Sequence, residues 1–177
     1  MIFEIPFNEE IYNQQMLLNF NTAWKKNFNN NRKRLFLAIP MILVGGLIIY
    51  GENNTGFLLV AIGVHYLINF YTYYKFYQKS KKSYLDLMNA EILKQKGSNE
   101  NHLWEFDDLF FRYKDHKYEA KIKWEVFKSH RVIENNLFLD IDVGTNLAFI
   151  LGESEIGTDN FKKATEFVKG KVTQKHM

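Results

Sequence analysis

Polar and apolar positions first alternate along this chain, then recur at helical spacing, and then polar positions nearly vanish for two long stretches. Ile2-Phe3-Glu4-Ile5-Pro6-Phe7 alternates as a strand does, with Pro6 confining it to an edge or an end. Asn8 followed by Glu9 and Glu10 is the pattern of a helix N-cap with acids in the first turn. From there Leu17, Phe20, Trp24 and Phe28 recur at spacings of 3, 4 and 4, which predicts an amphipathic helix. Its apolar face is expected on a bilayer surface or against a distal domain, with Lys25 and Lys26 beside Trp24 favouring the surface. Residues 35–50 (LFLAIPMILVGGLIIY) and 57–74 (FLLVAIGVHYLINFYTYY) then form two runs separated by Gly51-Glu52-Asn53-Asn54-Thr55-Gly56. Between Leu35 and Tyr74 the ionisable side chains other than tyrosines are Glu52 and His65. A helix rises about 1.5 Å per residue, so each run with its flanks nearly crosses a hydrocarbon core of roughly 30 Å. A soluble helix of this length would show a polar stripe, and the first run has none. The expectation is a transmembrane helical hairpin with spans at about 34–51 and 56–75.

After the second run Tyr66, Phe70, Tyr71, Tyr73, Tyr74, Phe76 and Tyr77 lead into Lys79, Lys81 and Lys82, the pattern of an interfacial aromatic belt. Nothing breaks the helix before Gly97, so one helix is expected from about 57 to 95, with Lys96-Gly97-Ser98-Asn99 as a linker. From His102 the period changes. Short strands are predicted at 102–106, 109–114, 117–123, 130–134, 137–143 and 147–151, with turns at Asp107-Asp108, Asp115-His116, Asn135-Asn136 and Gly144-Thr145-Asn146. Thr158 is expected to cap a final helix in which Phe161, Ala164 and Val168 share one face. The chain thus divides into residues 1–33, an N-terminal strand and amphipathic helix; 34–95, the hairpin with a cytoplasmic extension; and 97–177, a cytoplasmic domain. The fold class is α+β: a membrane hairpin plus a pleckstrin-homology-like antiparallel sheet or barrel closed by a C-terminal helix.

Charge sets an orientation on this picture. Lys25, Lys26, Arg32, Lys33 and Arg34 precede the first run, Lys75, Lys79, Lys81 and Lys82 follow the second, and the loop between has no Lys or Arg. The positive-inside rule puts both termini in the cytoplasm, and such flanks attract anionic lipid by about 1 kcal/mol per basic residue. Residues 1–96 carry 11 basic and 6 acidic groups, residues 97–177 carry 12 and 14, so basicity tracks the hairpin. The distal domain has no basic stripe, which removes the usual footprint for nucleic acid. Zero cysteines exclude disulfides, thiolate metal sites and cysteine nucleophiles. The polar stretch before the first run does not read as a cleavable signal peptide, and no lipidation box is present.

Candidate chemistry is sparse. His65 lies near the middle of the second run, with Asn69 and Thr72 at i+4 and i+7 on the same face. If the hairpin turns around residues 53 and 54, His65 falls opposite Ile42 and Asn69 opposite Ala38, near the Phe36 carbonyl that Pro40 leaves without its helical donor. The Asn69 amide is expected to reach that carbonyl, with His65 bonded along the stripe or across an oligomer contact. A proton relay is the alternative, and it lacks a carboxylate partner in the span. His102, His116 and His130 are spaced 14 apart with no tight pair, a poor zinc pattern. Asp140-Ile141-Asp142-Val143-Gly144 imitates the start of a calcium loop, but apolar residues 147–150 fill positions that should supply oxygens. Asp107, Asp108 and Asp115 read first as turn residues. Trp124 and Phe127 are the expected core anchors of the distal domain. No nucleophile elbow, P-loop, dinucleotide fingerprint or zinc-protease helix occurs, so no catalytic, cofactor or metal site is expected.

Taken together, the N-terminal strand and helix, the hairpin, the segment Ile122 to Phe127 around Trp124, Asn136-Leu137-Phe138-Leu139, Ala148-Phe149-Ile150-Leu151 and the terminal helix resemble the YcxB-like membrane proteins. Two features depart from that pattern: Glu125 stands where the family has a small polar residue after the Trp, and Gly152-Glu153-Ser154-Glu155 replaces a Pro-basic turn. The resemblance implies a bacterial inner-membrane protein with a pleckstrin-homology-like cytosolic domain and no established activity. The expected function is non-enzymatic binding of a protein partner or another copy of the chain. The alternatives are recognition of anionic lipid head groups, or immunity against a membrane-acting toxin.

Overall fold

The computed structural model describes residues 1–98, 100–141 and 148–172, apart from the side chain of Lys26. The protein is α+β and forms two compact units, Met1–Leu18 with Met88–Met177, and Asn19–Leu87. The boundaries between these units fall inside the two long helices.

In the first unit, β1 (Ile2–Ile5), β2 (His102–Phe106), β3 (Phe110–Lys114) and β4 (Glu119–Lys123) make a four-stranded antiparallel sheet in chain order. Phe3 lies opposite Trp104, and Trp104 opposite Tyr113, so aromatic side chains cross the sheet in one row. A 3-10 turn, Trp124–Val126, leads into β5 (Phe127–Ile133), β6 (Asn136–Ile141) and β7 (Ala148–Gly152), a second antiparallel sheet. The short helix α3 (Glu153–Ile156) and the helix α4 (Thr158–Lys171) follow. Phe106 and Phe111 from the first sheet, Leu137 and Leu151 from the second, and Phe161 and Val168 from α4 meet in one buried core. The expected face of α4 is the buried one, because its apolar positions recur once per turn.

Several boundaries shift for local reasons. β3 and β4 begin at Phe110 and Glu119 because the Asp107 carboxylate accepts the Leu109 N–H, and Asp115 accepts those of Lys117 and Tyr118, holding these residues in turns. β5 begins at Phe127, ahead of the expected His130, because an irregularity between Phe127 and Ser129 interrupts the alternation that marks a strand. Gly157, at φ 79°, stands at the N-cap of α4, and Thr158 is the first helical residue. Residues 142–147, the end of the expected strand and its Gly144 turn, lie outside the described residues.

α1 runs from Glu9 to Tyr50 and α2 from Thr55 to Ser98. Asn8 caps α1 as expected, its side-chain oxygen accepting the N–H groups of Glu10 and Ile11. The amphipathic stretch and the first apolar run are therefore one helix, with Pro40 inside it. Its aromatic face packs against α2 and not on a separate surface: Phe20 lies 5.0 Å from Tyr84, Trp24 5.4 Å and Phe28 5.5 Å from Tyr77, ring centre to ring centre. The reason is that α2 continues past the apolar run and offers aromatic side chains alongside. The aromatic belt is accordingly divided, with Tyr77 facing α1 and Tyr71 and Tyr74 exposed.

The unexpected α3 has a clear anchor. One Glu155 carboxylate oxygen accepts the Gly152 N–H and the Gln15 side-chain amide, both at 2.6 Å, joining α3 to the start of α1. Burial pushes the Glu155 carboxyl above its usual range, and these two donors pull the other way. Glu155→Ala strands both donors and should destabilise the unit by about 1–3 kcal/mol, whereas Glu155→Gln keeps an acceptor and should cost less; denaturation midpoints of full-length variants measure the difference.

Candidate functional site

The two helices of Asn19–Leu87 touch along a line of small residues. A Cβ added to Gly45 would lie 2.8 Å from the Gly56 carbonyl oxygen and 2.9 Å from the Val60 side chain, and one added to Gly56 would run into the Gly45 carbonyl. At Gly63 it would lie 2.5 Å from the Ile42 side chain and 3.0 Å from the Ala38 carbonyl, and Ala38 itself is fully buried. The backbones approach as closely as small side chains permit, the packing mode of helices that associate without a hydrophobic driving force. Ala38 and Gly45, like Gly56 and Gly63, stand seven apart, two helical turns, and that spacing is the sequence signal of this contact.

This contact turns the polar stripe outward. Gly63, not His65, lies against Ile42. Two residues on a helix amount to about 200° of rotation, so the face carrying His65 points away from α1. His65 and Thr72 are exposed and Asn69 is half-buried. The Asn69 amide nitrogen lies 2.8 Å from Nε2 of His65, one turn back on the same helix, and not on the Phe36 carbonyl. The stripe is a bonded pair on an open surface.

Lys25, Arg32, Lys33, Arg34, Lys75, Lys79 and Lys82 are exposed and Lys81 is half-buried. Among the described residues none of them has a carboxylate within ion-pair distance. Arg32 stands 5.6 Å from the Phe36 ring centre and Lys75 5.2 Å from that of Tyr71, so cation and aromatic groups share the open end of the hairpin, where the first run begins and the second ends.

In the first unit, the acids at the strand ends hold turns and ion pairs. Asp115 is buried, holds its turn, and accepts the Tyr113 hydroxyl at 3.3 Å; burial and this carboxylate hold the hydroxyl far above the usual phenol range. His116 Nε2 lies 3.4 Å from Glu91, which Lys117 also reaches at 3.4 Å. His102 packs between the rings of Phe7 and Tyr113. Its pKa is lowered, first by burial, with Asp115 opposing and His116 adding to the effect. His130 lies on β5, and among the described residues no three histidines or carboxylates are arranged to hold a metal ion. Asp108 pairs with Lys171 at 2.8 Å, and Asp140 takes a two-pronged bond from Arg131 at 2.6 and 2.7 Å and a third from Ser129. Trp124 and Phe127 are buried, and the Trp124 ring nitrogen donates to the Asp107 carbonyl at 2.9 Å, pinning the junction of the sheets to the β2–β3 turn.

Two predictions arise from this geometry. Gly45→Leu should force the helices apart and lower the thermal midpoint of the purified protein by several degrees, while Gly46→Leu, whose added Cβ meets nothing within 4 Å, should not; circular dichroism on heating compares them. His102 binds its proton less readily folded than unfolded, so its contribution to stability is complete above the ordinary imidazole range and falls away as pH drops below about 6.5. Glu155 works in the opposite sense on acidification. The acid-induced loss between pH 7.5 and 5.5 should therefore shrink in His102→Leu, as read from denaturation midpoints at each pH.

Comparison of the chain with family models, with curated proteins and with solved structures returns no match.

Proposed function

We propose that this chain is a two-span protein of the bacterial inner membrane, of the YcxB-like kind, that works by binding through a pleckstrin-homology-like cytoplasmic domain. The partner is another protein or a second copy of the chain, and no catalysis is involved. The observation that carries the reading is how the domain uses its polar residues: Asp107, Asp108, Asp115, Asp140 and Glu155 each hold a turn, an ion pair or a helix start. Reactive-group chemistry is spent on geometry, which suits a rigid binding module. The arrangement of four strands, three strands and a closing helix around one aromatic core supports the pleckstrin-homology-like assignment.

The membrane placement has separate support. Both long helices are apolar enough to cross a bilayer, and only 11% of each apolar window is buried within the molecule, unlike a soluble core helix. β1 precedes the first span and β2 follows the second, yet they pair in one sheet, which supports both ends of the hairpin lying on one side. The unpaired cations at those ends favour the cytoplasmic side. The same cations favour a second reading, in which the chain recognises anionic lipid head groups.

Since β1 belongs to the distal sheet, the test uses the full-length chain, which has no cysteine of its own. With single cysteines at Asn53→Cys and Lys163→Cys, an impermeant thiol reagent applied to intact cells should label the first and spare the second. A thiol-anchored crosslinker at Lys163→Cys in native membranes should then give a discrete protein adduct, a second copy included, that survives Lys75→Gln with Lys79→Gln. Reversed labelling would sink the placement, and lipid adducts alone would transfer the function to the second reading.

A further inference from the structure

His65 lies ten residues into α2, about 15 Å along the helix from its start and so near the middle of an apolar layer of roughly 30 Å. A polar group left facing hydrocarbon at that depth is costly, and such groups are found paired or facing a protein neighbour. The small-residue contact with α1 lies on the opposite side of the helix, so among the described residues the pair is hydrogen-bonded to no group outside α2.

The existing bond dictates what the neighbour must offer. An Asn69 amide that donates to Nε2 of His65 makes that nitrogen the acceptor and leaves the proton of the neutral ring on Nδ1. What is left over is Nδ1–H of His65, the second N–H of the Asn69 amide and the Asn69 carbonyl oxygen, and none of them takes part in another hydrogen bond among the described residues. The two residues stand one turn apart, about 6 Å along the axis. A two-fold axis running alongside the helix brings the donor of each copy to the acceptor of the other, since residues i and i+4 meet across parallel helix pairs. A second copy of this chain therefore gives the His65 donor and the Asn69 carbonyl of each copy a partner with a single pair of residues. The surroundings allow the approach: Ala61, one turn before His65, is exposed and small, and Leu58, Ile68 and Thr72 complete an uncovered face.

We propose that this face of α2 is a homodimer contact within the bilayer, in which His65 of each copy donates to Asn69 of the other. The inference rests on the membrane reading above and names the partner of the hairpin.

The test uses the full-length protein in neutral phosphatidylcholine vesicles. Ala61→Cys should oxidise to a disulfide-linked dimer, whereas Leu47→Cys, exposed on α1, should not. In matched detergent micelles, His65→Leu and Asn69→Leu should each weaken the dimer about tenfold by sedimentation equilibrium. The double variant should be no weaker than either single one, because each removes the same two bonds. A monomeric chain, equal crosslinking at position 47, unchanged affinity in His65→Leu or additive losses would each overturn the proposal. So would a crosslink from Ala61→Cys to a different protein in native membranes with no homodimer. Release of the chain from membranes by alkaline carbonate would defeat the membrane reading itself, whereas a carbonate-resistant monomer defeats the pairing alone.

Discussion

The antiparallel pairing of β1 with β2 is the constraint on which the rest of the architecture depends. It ties residues 2–5 to residues 102–105 in continuous register, so the ninety-odd residues between must leave the sheet and return to it. Two antiparallel helices joined by a tight turn are the simplest chain that does so. The turn is built for a sharp reversal, since Glu52 takes a positive φ of 61° and Asn53 accepts the N–H and hydroxyl of Thr55 to start α2. The same tie makes β1 and the beginning of α1 part of the distal domain's compact unit, where Gln15 meets Glu155 and Glu9 pairs with Lys96.

Within the hairpin, small residues and polar residues have divided the surface of α2 between them. Glycines take the side facing α1, because only there does backbone meet backbone, while His65, Asn69 and Thr72 take the far side. The result is a hairpin closed by shape and left with its hydrogen-bonding capacity outward. Farther along, where the helices carry Phe20, Trp24 and Tyr77, large rings replace the glycines, and aromatic contact holds the pair.

The distal unit is organised differently. Its strands are short and its core is aromatic: Trp104, Phe106, Phe111 and Trp124 are all nearly inaccessible. Acids at the strand ends set the turns that aim these rings inward, and Asp115 does so from a buried position by holding two backbone N–H groups. The segment Gly152 to Glu155 belongs to the same scheme, since Glu155 is the anchor of α3.

Local pattern determined a great deal by itself: the strand at residues 2–5, the Asn8 cap, two long apolar helices, most of the distal strands and the buried face of α4 all follow from periodicity and turn chemistry within a few residues. Trp124 and Phe127 were legible as core anchors because large aromatic residues beside a strand start rarely have another home. That His65, Asn69 and Thr72 share one face is likewise helical arithmetic. Which way that face points was not, because it depends on the register of two helices. A shift of two residues in their pairing rotates a side chain by about 200° and exchanges inside for outside. Tertiary structure alone decided that register, through the close approach at Gly45, Gly56 and Gly63, and it alone decided that β1 crosses a long stretch of sequence to join β2. Both are contacts between distant segments, set by the shapes that fit together, and no local pattern of polar and apolar residues encodes them.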